Sequence, residues 1–188
     1  MADTSGPSIM SHMARGTGRD HLGATSTDEE FRHLFAASYP QLVRTVWFVV
    51  HDHQLAQDIA QEAFIELHRK WATVRSYERP DLWVRLIALG RAQREAAREV
   101  RRRRLEQASA PPKTHDGLEL PDPALAAAIR SLPPQQRAVV ALFYLEDRPM
   151  EEVAHLIGCS TATAYVHLHR ARKRLATLLG EEVDDCDR

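Results

Sequence analysis

Met150-Glu-Glu-Val-Ala-His-Leu-Ile-Gly-Cys-Ser160, continuing as Thr161-Ala-Thr-Ala-Tyr-Val-His-Leu-His-Arg-Ala-Arg-Lys-Arg174, is the stretch on which the fold turns. Val153, Ala154 and Ile157 give a short helix one apolar side. Gly158 supplies a tight turn, and Ser160 can cap the helix that follows. That helix sets Ala164, Leu168, Ala171, Leu175 and Leu178 along one side at spacings of four and three. A short amphipathic helix, a glycine turn and a capped second helix, in that order, make a helix-turn-helix. The other side of the second helix offers Thr161, Thr163, Tyr165, His167, His169, Arg170, Arg172 and Lys173, with Ser160 at its start. A helix of this width enters the major groove with its N-terminal residues at base edges. The hydroxyls near the start can read bases. Arg170, Arg172 and Lys173 come later and suit phosphates, which position the protein without specifying sequence. A plain helical hairpin inside a bundle would share the apolar pattern, so the motif alone does not assign a function.

Working back toward the N-terminus, Glu146–Pro149 reads as a turn. Before it lie Val139, Val140, Leu142 and Phe143, on a helix opened by Pro133 and Pro134. A shorter helix bears Leu125, Ile129 and Leu132. Residues 105–121 hold Pro111, Pro112, Gly117 and Pro121 among polar residues and read as a flexible linker. A second helical block fills residues 28–104. Its first run includes Phe31, Leu34, Phe35, Leu42, Val43 and Val46, and Pro40 inside it predicts a kink or two joined helices. Asp52 can cap a helix with Leu55, Ile59, Ala63, Phe64, Leu67 and Trp71 on its apolar stripe. Asp58, Gln61, Glu62 and Glu66 lie off that stripe. A break follows over residues 72–78. Pro80 then suits a first helical turn, ahead of Trp83, Leu86 and Ile87 facing inward. Residues 1–27 lack periodicity and read as a disordered tail, and 181–188 as an acidic tail. The expected fold is all-α, with two small helical domains, 28–104 and 122–180, joined by the linker. The second domain carries the helix-turn-helix.

The net charge of −1 hides a strong division along the chain. Residues 76–104 hold nine Arg against four acids, and 123–180 hold seven Lys or Arg against four acids. Residues 105–122 and both ends are acidic. Two basic blocks could be two footprints on a polyanion, or simply solvated helix faces. No apolar run approaches the roughly 18 residues needed to span a bilayer, and no signal peptide is evident, so the cytoplasm is the expected compartment. The two cysteines, Cys159 and Cys186, form no disulfide framework and no zinc-ligand spacing. His51 with His53, and His167 with His169, stand two apart and would not share a helix face. No HExxH, P-loop or nucleophile elbow occurs, and neither an enzyme nor a cofactor or metal is expected.

Leu132-Pro-Pro-Gln-Gln-Arg-Ala-Val-Val-Ala-Leu142, Glu152-Val-Ala-His-Leu-Ile-Gly-Cys-Ser160 and Leu168-His-Arg-Ala-Arg172 together resemble the C-terminal domain of bacterial extracytoplasmic-function sigma factors of RNA polymerase. Asp58-Ile-Ala-Gln-Glu-Ala-Phe64, followed by Trp71, is similar to that family's polymerase-binding helix. Trp83-Val-Arg-Leu-Ile-Ala88 looks like its helix for melting and reading the minus-ten element. The resemblance spans about residues 30–178 and covers both blocks in family order.

It implies several roles. Asp58, Gln61, Glu62 and Phe64 would dock on the beta-prime clamp of core RNA polymerase, with the beta flap as a further contact. Arg75, Tyr77, Arg79, Arg85, Arg91, Arg94 and Arg98 would hold the opened minus-ten strand. Ser160, Thr161, Thr163, Tyr165, His167, His169, Arg170, Arg172 and Lys173 would meet the minus-thirty-five element. An anti-sigma factor would restrain the whole. Two departures stand out. Gly90 and Arg94 occupy positions where the family often has Asn and Asp. Ala162-Thr-Ala-Tyr-Val-His167 replaces a commoner Gly-Thr-Val-Lys-Ser-Arg run, so the recognised sequence should be unusual. A helix-turn-helix regulator that binds an operator on its own is the competing expectation.

Overall fold

The computed structural model describes residues 24–105 and 122–180, all of whose regular structure is helical. The elements are α1 (Ala24–Val50), α2 (His53–Arg69), α3 (Trp71–Val74), α4 (Pro80–Leu105), α5 (Pro123–Ser131), α6 (Pro134–Val140), α7 (Met150–Ile157) and α8 (Thr161–Leu179). A π-helical turn, Ala141–Leu145, continues α6. The expected linker apart from Leu105, which ends α4, nearly all of the N-terminal tail and the acidic C-terminal tail lie outside the described residues.

Local chemistry explains most of the boundaries. Asp52 caps α2, its carboxylate accepting from the Leu55 N–H at 3.0 Å. Asp122 does the same for α5, which also has Pro123 in its first turn. Gly158 ends α7 in the left-handed region at φ 74° and starts the turn into α8. His51, at φ 56°, bends the chain between α1 and α2.

Three features differ from the expectation. α1 begins at Ala24, inside the stretch read as a tail. Long-range bonds hold its first turn: the Trp71 indole N–H donates to the Thr27 carbonyl at 3.0 Å, and Arg75 donates to the Thr27 hydroxyl at 2.6 Å. α1 also runs through Pro40 as one helix of 27 residues. The backbone bond lost at Pro40 is outweighed by packing on both sides of it, with Phe35 and Tyr39 stacked before and Leu42, Val43 and Val46 buried after. Leu178 is 53% exposed, because the last turn of α8 runs past the elements it packs on.

The two blocks do not stand apart. One apolar cluster joins Leu42, Val46, Ile59, Leu67, Val84 and Leu89 of the first block to Leu132, Val139, Leu142, Val153 and Leu168 of the second. A smaller cluster sets Phe48 of α1 against Ile129 and Ala141. α1 lies on α6 and the π turn, and α4 on α6 and α7. Trp83 is 6% exposed within the core. After the π turn, Asp147 adopts φ 48°, a conformation that Asp tolerates better than most residues. This reversal delivers Glu146 to the seam between the blocks.

Candidate nucleic-acid and protein interfaces

The helix-turn-helix forms as its spacing requires. Ala164, Leu168 and Ala171 are buried. Two exposed lines flank them on α8, Thr163–Val166–Arg170–Lys173 and Ala162–Tyr165–His169–Arg172. Tyr165 is 55% exposed, while Thr161 and His167 are half-buried at the edges. Ser160 and Thr163 have a structural task as well. The Ser160 hydroxyl accepts from the Thr163 N–H at 3.2 Å, and the two hydroxyls lie 2.8 Å apart. Ser160→Ala is therefore expected to cost about 1 kcal/mol of stability, read as a lower urea midpoint at unchanged slope. Sequence reasoning missed Val166, which is 44% exposed. Its place three residues after Thr163 is the signal that would have found it, and an aliphatic group there can meet a thymine methyl. Burial pushes the Cys159 thiol above its ordinary pKa, in keeping with a filler of the turn.

A second surface lies on α2. Asp58, Gln61, Glu62 and Ile65 recur at i, i+3, i+4 and i+7, and all are exposed. Asp58 accepts from the Gln54 amide at 3.0 Å. Gln61 reaches the Tyr39 hydroxyl at 3.5 Å. Glu62 takes the Arg91 guanidinium at 2.5 Å, and Glu66 takes its other nitrogen at 2.8 Å. Phe64 lies on the apolar stripe that its spacing predicts and not on the docking surface that the resemblance implied. It is 3% exposed, enclosed by Phe31, Phe35 and Tyr39, because the helix turns it into the core. The apolar groups that do reach this surface are Ile65 at 51% and Phe35 at 38% exposure.

The seven arginine and tyrosine positions assigned to the minus-ten strand are not equivalent. Arg75, Arg94 and Arg98 are exposed, and Arg98 bonds Glu95 one turn away. Tyr77 packs against the core. Arg91 clamps α4 to α2 as described. Arg79 and Arg85 are drawn into the seam.

That seam holds a neutral cluster of six alternating charges. Arg85 Nε donates to Glu146 at 2.9 Å, their side chains 3% and 1% exposed. Arg148 donates to the same Glu146 oxygen at 2.9 Å and to Glu152 at 2.7 Å. Glu152 also accepts from Arg79 at 2.8 Å. Arg79 grips Asp81 through two bonds of 3.1 Å. The Thr45 hydroxyl of α1 donates to the second Glu146 oxygen at 2.5 Å. Burial pushes the Glu146 carboxyl up, but Arg85 together with the bonds from Thr45 and Arg148 holds it below the usual range. Asp81 and Glu152 are lowered in the same way, against burial, by their arginines. No sequence signal pointed to this cluster.

The description of sigma-70 region 2 matches residues 34–104, and that of sigma-70 region 4 matches residues 123–175. The RNA polymerase sigma-E factor of Streptomyces coelicolor is 30% identical over 148 residues, 78% of this chain and 84% of that one. The RNA polymerase sigma factor CarQ of Myxococcus xanthus is 29% identical over 162 residues, covering 81% of this chain and 91% of its own. Among solved structures, the sigma factor RpoE of Bartonella quintana, crystallised with the anti-sigma factor NepR, shares the fold. It has a TM-score of 0.57 at 24% identity and covers 85% of this chain and 99% of its own. No helix among the described residues is long and apolar enough to cross a membrane. Both matched regions stand in order on the helices that carry the two surfaces, and the chain belongs to the sigma-70 family of RNA polymerase sigma factors, in its extracytoplasmic-function group.

Proposed function

We propose that this chain binds core RNA polymerase through the exposed α2 stripe and carries it to promoters, working in the cytoplasm with no catalytic chemistry of its own. α8 enters the major groove of the minus-thirty-five element, with Tyr165 and Val166 at base edges and Arg170, Arg172 and Lys173 on phosphates. The loop before α4, and α4 itself, take the opened minus-ten strand. An anti-sigma factor holds the chain in reserve, in keeping with the Bartonella quintana sigma factor, which crystallised in complex with one. One observation carries this reading over that of a lone operator-binding regulator. A helix-turn-helix with a basic outer face shares its chain with an acidic stripe centred on an exposed isoleucine, which fits a protein partner rather than DNA.

The test is run-off transcription. Core polymerase plus this chain is expected to start at discrete promoters that core alone ignores, and the signal should fall steeply with added salt. A tight gel shift by the chain alone, with no binding to core, would establish the regulator instead.

The two elements take their names from positions about 25 base pairs apart, roughly 85 Å along straight duplex. A folded chain of this length has a radius of gyration of roughly 16 Å. With the blocks sharing one core, α4 and α8 cannot serve both elements together, so promoter engagement requires the seam to open.

A further inference from the structure

The seam contains a feature that packing alone does not need. Arg85 is buried in α4, yet its ion-pair partner among the described residues comes from the other block. Its own block offers it the Gln41 amide oxygen at 3.4 Å. Its NH1 nitrogen is buried with no hydrogen-bond partner among the described residues. Arg79 likewise gives its remaining nitrogen across the seam to Glu152. The cross-seam bonds, 2.8 and 2.9 Å long, have the lengths of guanidinium–oxyanion contacts.

We propose that Glu146 and Glu152 hold the chain closed by occupying, as stand-ins for phosphate, the two guanidiniums that receive the promoter strand when it opens. The inference deepens the reading of Arg79 and Arg85 as strand-binding residues, and rests on it. A carboxylate and a phosphate offer the same paired oxygens to an arginine fork, so one guanidinium can exchange the first for the second. In the closed chain Arg85 is unavailable to nucleic acid and incompletely bonded. In the open chain it becomes an unpaired cation on α4, the helix that also carries Arg91 and Arg94. Closure is thus self-restraint by charge, separable from restraint by any partner protein. The strand itself favours opening, because it binds a state in which both arginines are vacant.

The test uses the full chain without polymerase. Small-angle scattering reads compactness, and fluorescence anisotropy with a labelled single-stranded oligonucleotide reads strand affinity. Glu146→Gln with Glu152→Gln is expected to raise the radius of gyration above that of the unaltered chain and to tighten strand binding by about tenfold, as the competent fraction grows. Adding Arg79→Ala and Arg85→Ala to that variant should remove the gain. Glu152→Gln alone, at a partly exposed position outside the apolar core, should move both readouts the same way by less, and serves if the double variant misfolds. Unchanged compactness together with unchanged affinity overturns the lock, while run-off transcription by the unaltered chain still judges its activity as a sigma factor. Expansion without a gain in affinity overturns the phosphate mimicry, and with it the strand-binding role of Arg79 and Arg85.

Discussion

Arg85→Ala is expected to destabilise the closed chain by about 3–5 kcal/mol, the range for breaking a buried ion pair from one side. The magnitude follows from burial. Glu146 keeps 1% of its side-chain exposure and loses the cation that offsets its desolvation. Arg148 and Thr45 remain, but Arg148 also serves Glu152. Urea unfolding followed by tryptophan emission should show a lower midpoint, or a transition split in two as the blocks part before they unfold. An unchanged midpoint with unchanged compactness would refute the prediction. The paired replacement Arg85→Met with Glu146→Leu should recover most of the loss, since it removes both charges and keeps the volume. The effect depends on pH in a definite direction. Glu146, Glu152 and Asp81 are lowered from ordinary values of 4.5, 4.5 and 3.8. The stability they contribute is therefore complete above those values and is lost as pH falls through the lowered ones. In Arg85→Ala the Glu146 carboxyl rises, because the attraction that most opposed burial is gone. Protonation then relieves the penalty, and the gap between variant and unaltered chain should narrow in acid.

Ile65→Asp is expected to weaken binding to core polymerase by about 30-fold, or roughly 2 kcal/mol, the scale of a central interface residue. The substitution sets a charge among Asp58, Gln61 and Glu62, where the partner must cover an aliphatic group. Ile65 is 51% exposed and points away from the buried Ala60, Ala63 and Phe64, so the melting temperature should hold. Titration of labelled chain into core, beside a thermal melt, separates the two effects. Full affinity in the variant would remove α2 from the interface.

The contrast between Phe64 and Ile65 shows where sequence reading reaches and where it stops. The caps at Asp52 and Ser160 and the turn at Gly158 were legible because their chemistry is settled within three or four residues. So was the helix-turn-helix, whose buried side follows from helical spacing alone. The phase of α2 was legible too, but the resemblance gave Phe64 a docking role that its place on the stripe opposes. Adjacent positions differ by about 100° on a helix, and an aromatic beside acidic residues invites assignment to an interface. The spacing set Phe64 on the apolar stripe, and the ring of Phe31, Phe35 and Tyr39, contributed by another helix, receives it there and leaves Ile65 outside. The charge cluster was beyond reach for a stronger reason. Arg85 and Glu146 are 61 residues apart, and each sits in a segment whose periodicity treats it as an ordinary polar position. The two-block division was read from composition, which reports where the chain is polar and says nothing about whether the blocks then meet.

The order of the two blocks along the chain has a consequence for synthesis. The carboxylate that neutralises Arg85 from across the seam, and the Ile129 and Ala141 that pack on Phe48, are encoded after residue 122. At roughly 5–20 residues per second, a ribosome needs about 4–15 s to travel from residue 105 to residue 180. While the second block is still being made, nothing pairs Arg85 across the seam or packs the far side of Phe48, so a first block that has left the ribosome is open to polymerase. Released chains truncated near residue 120 should therefore capture core polymerase more readily than the finished protein, and equal capture would rule this early encounter out.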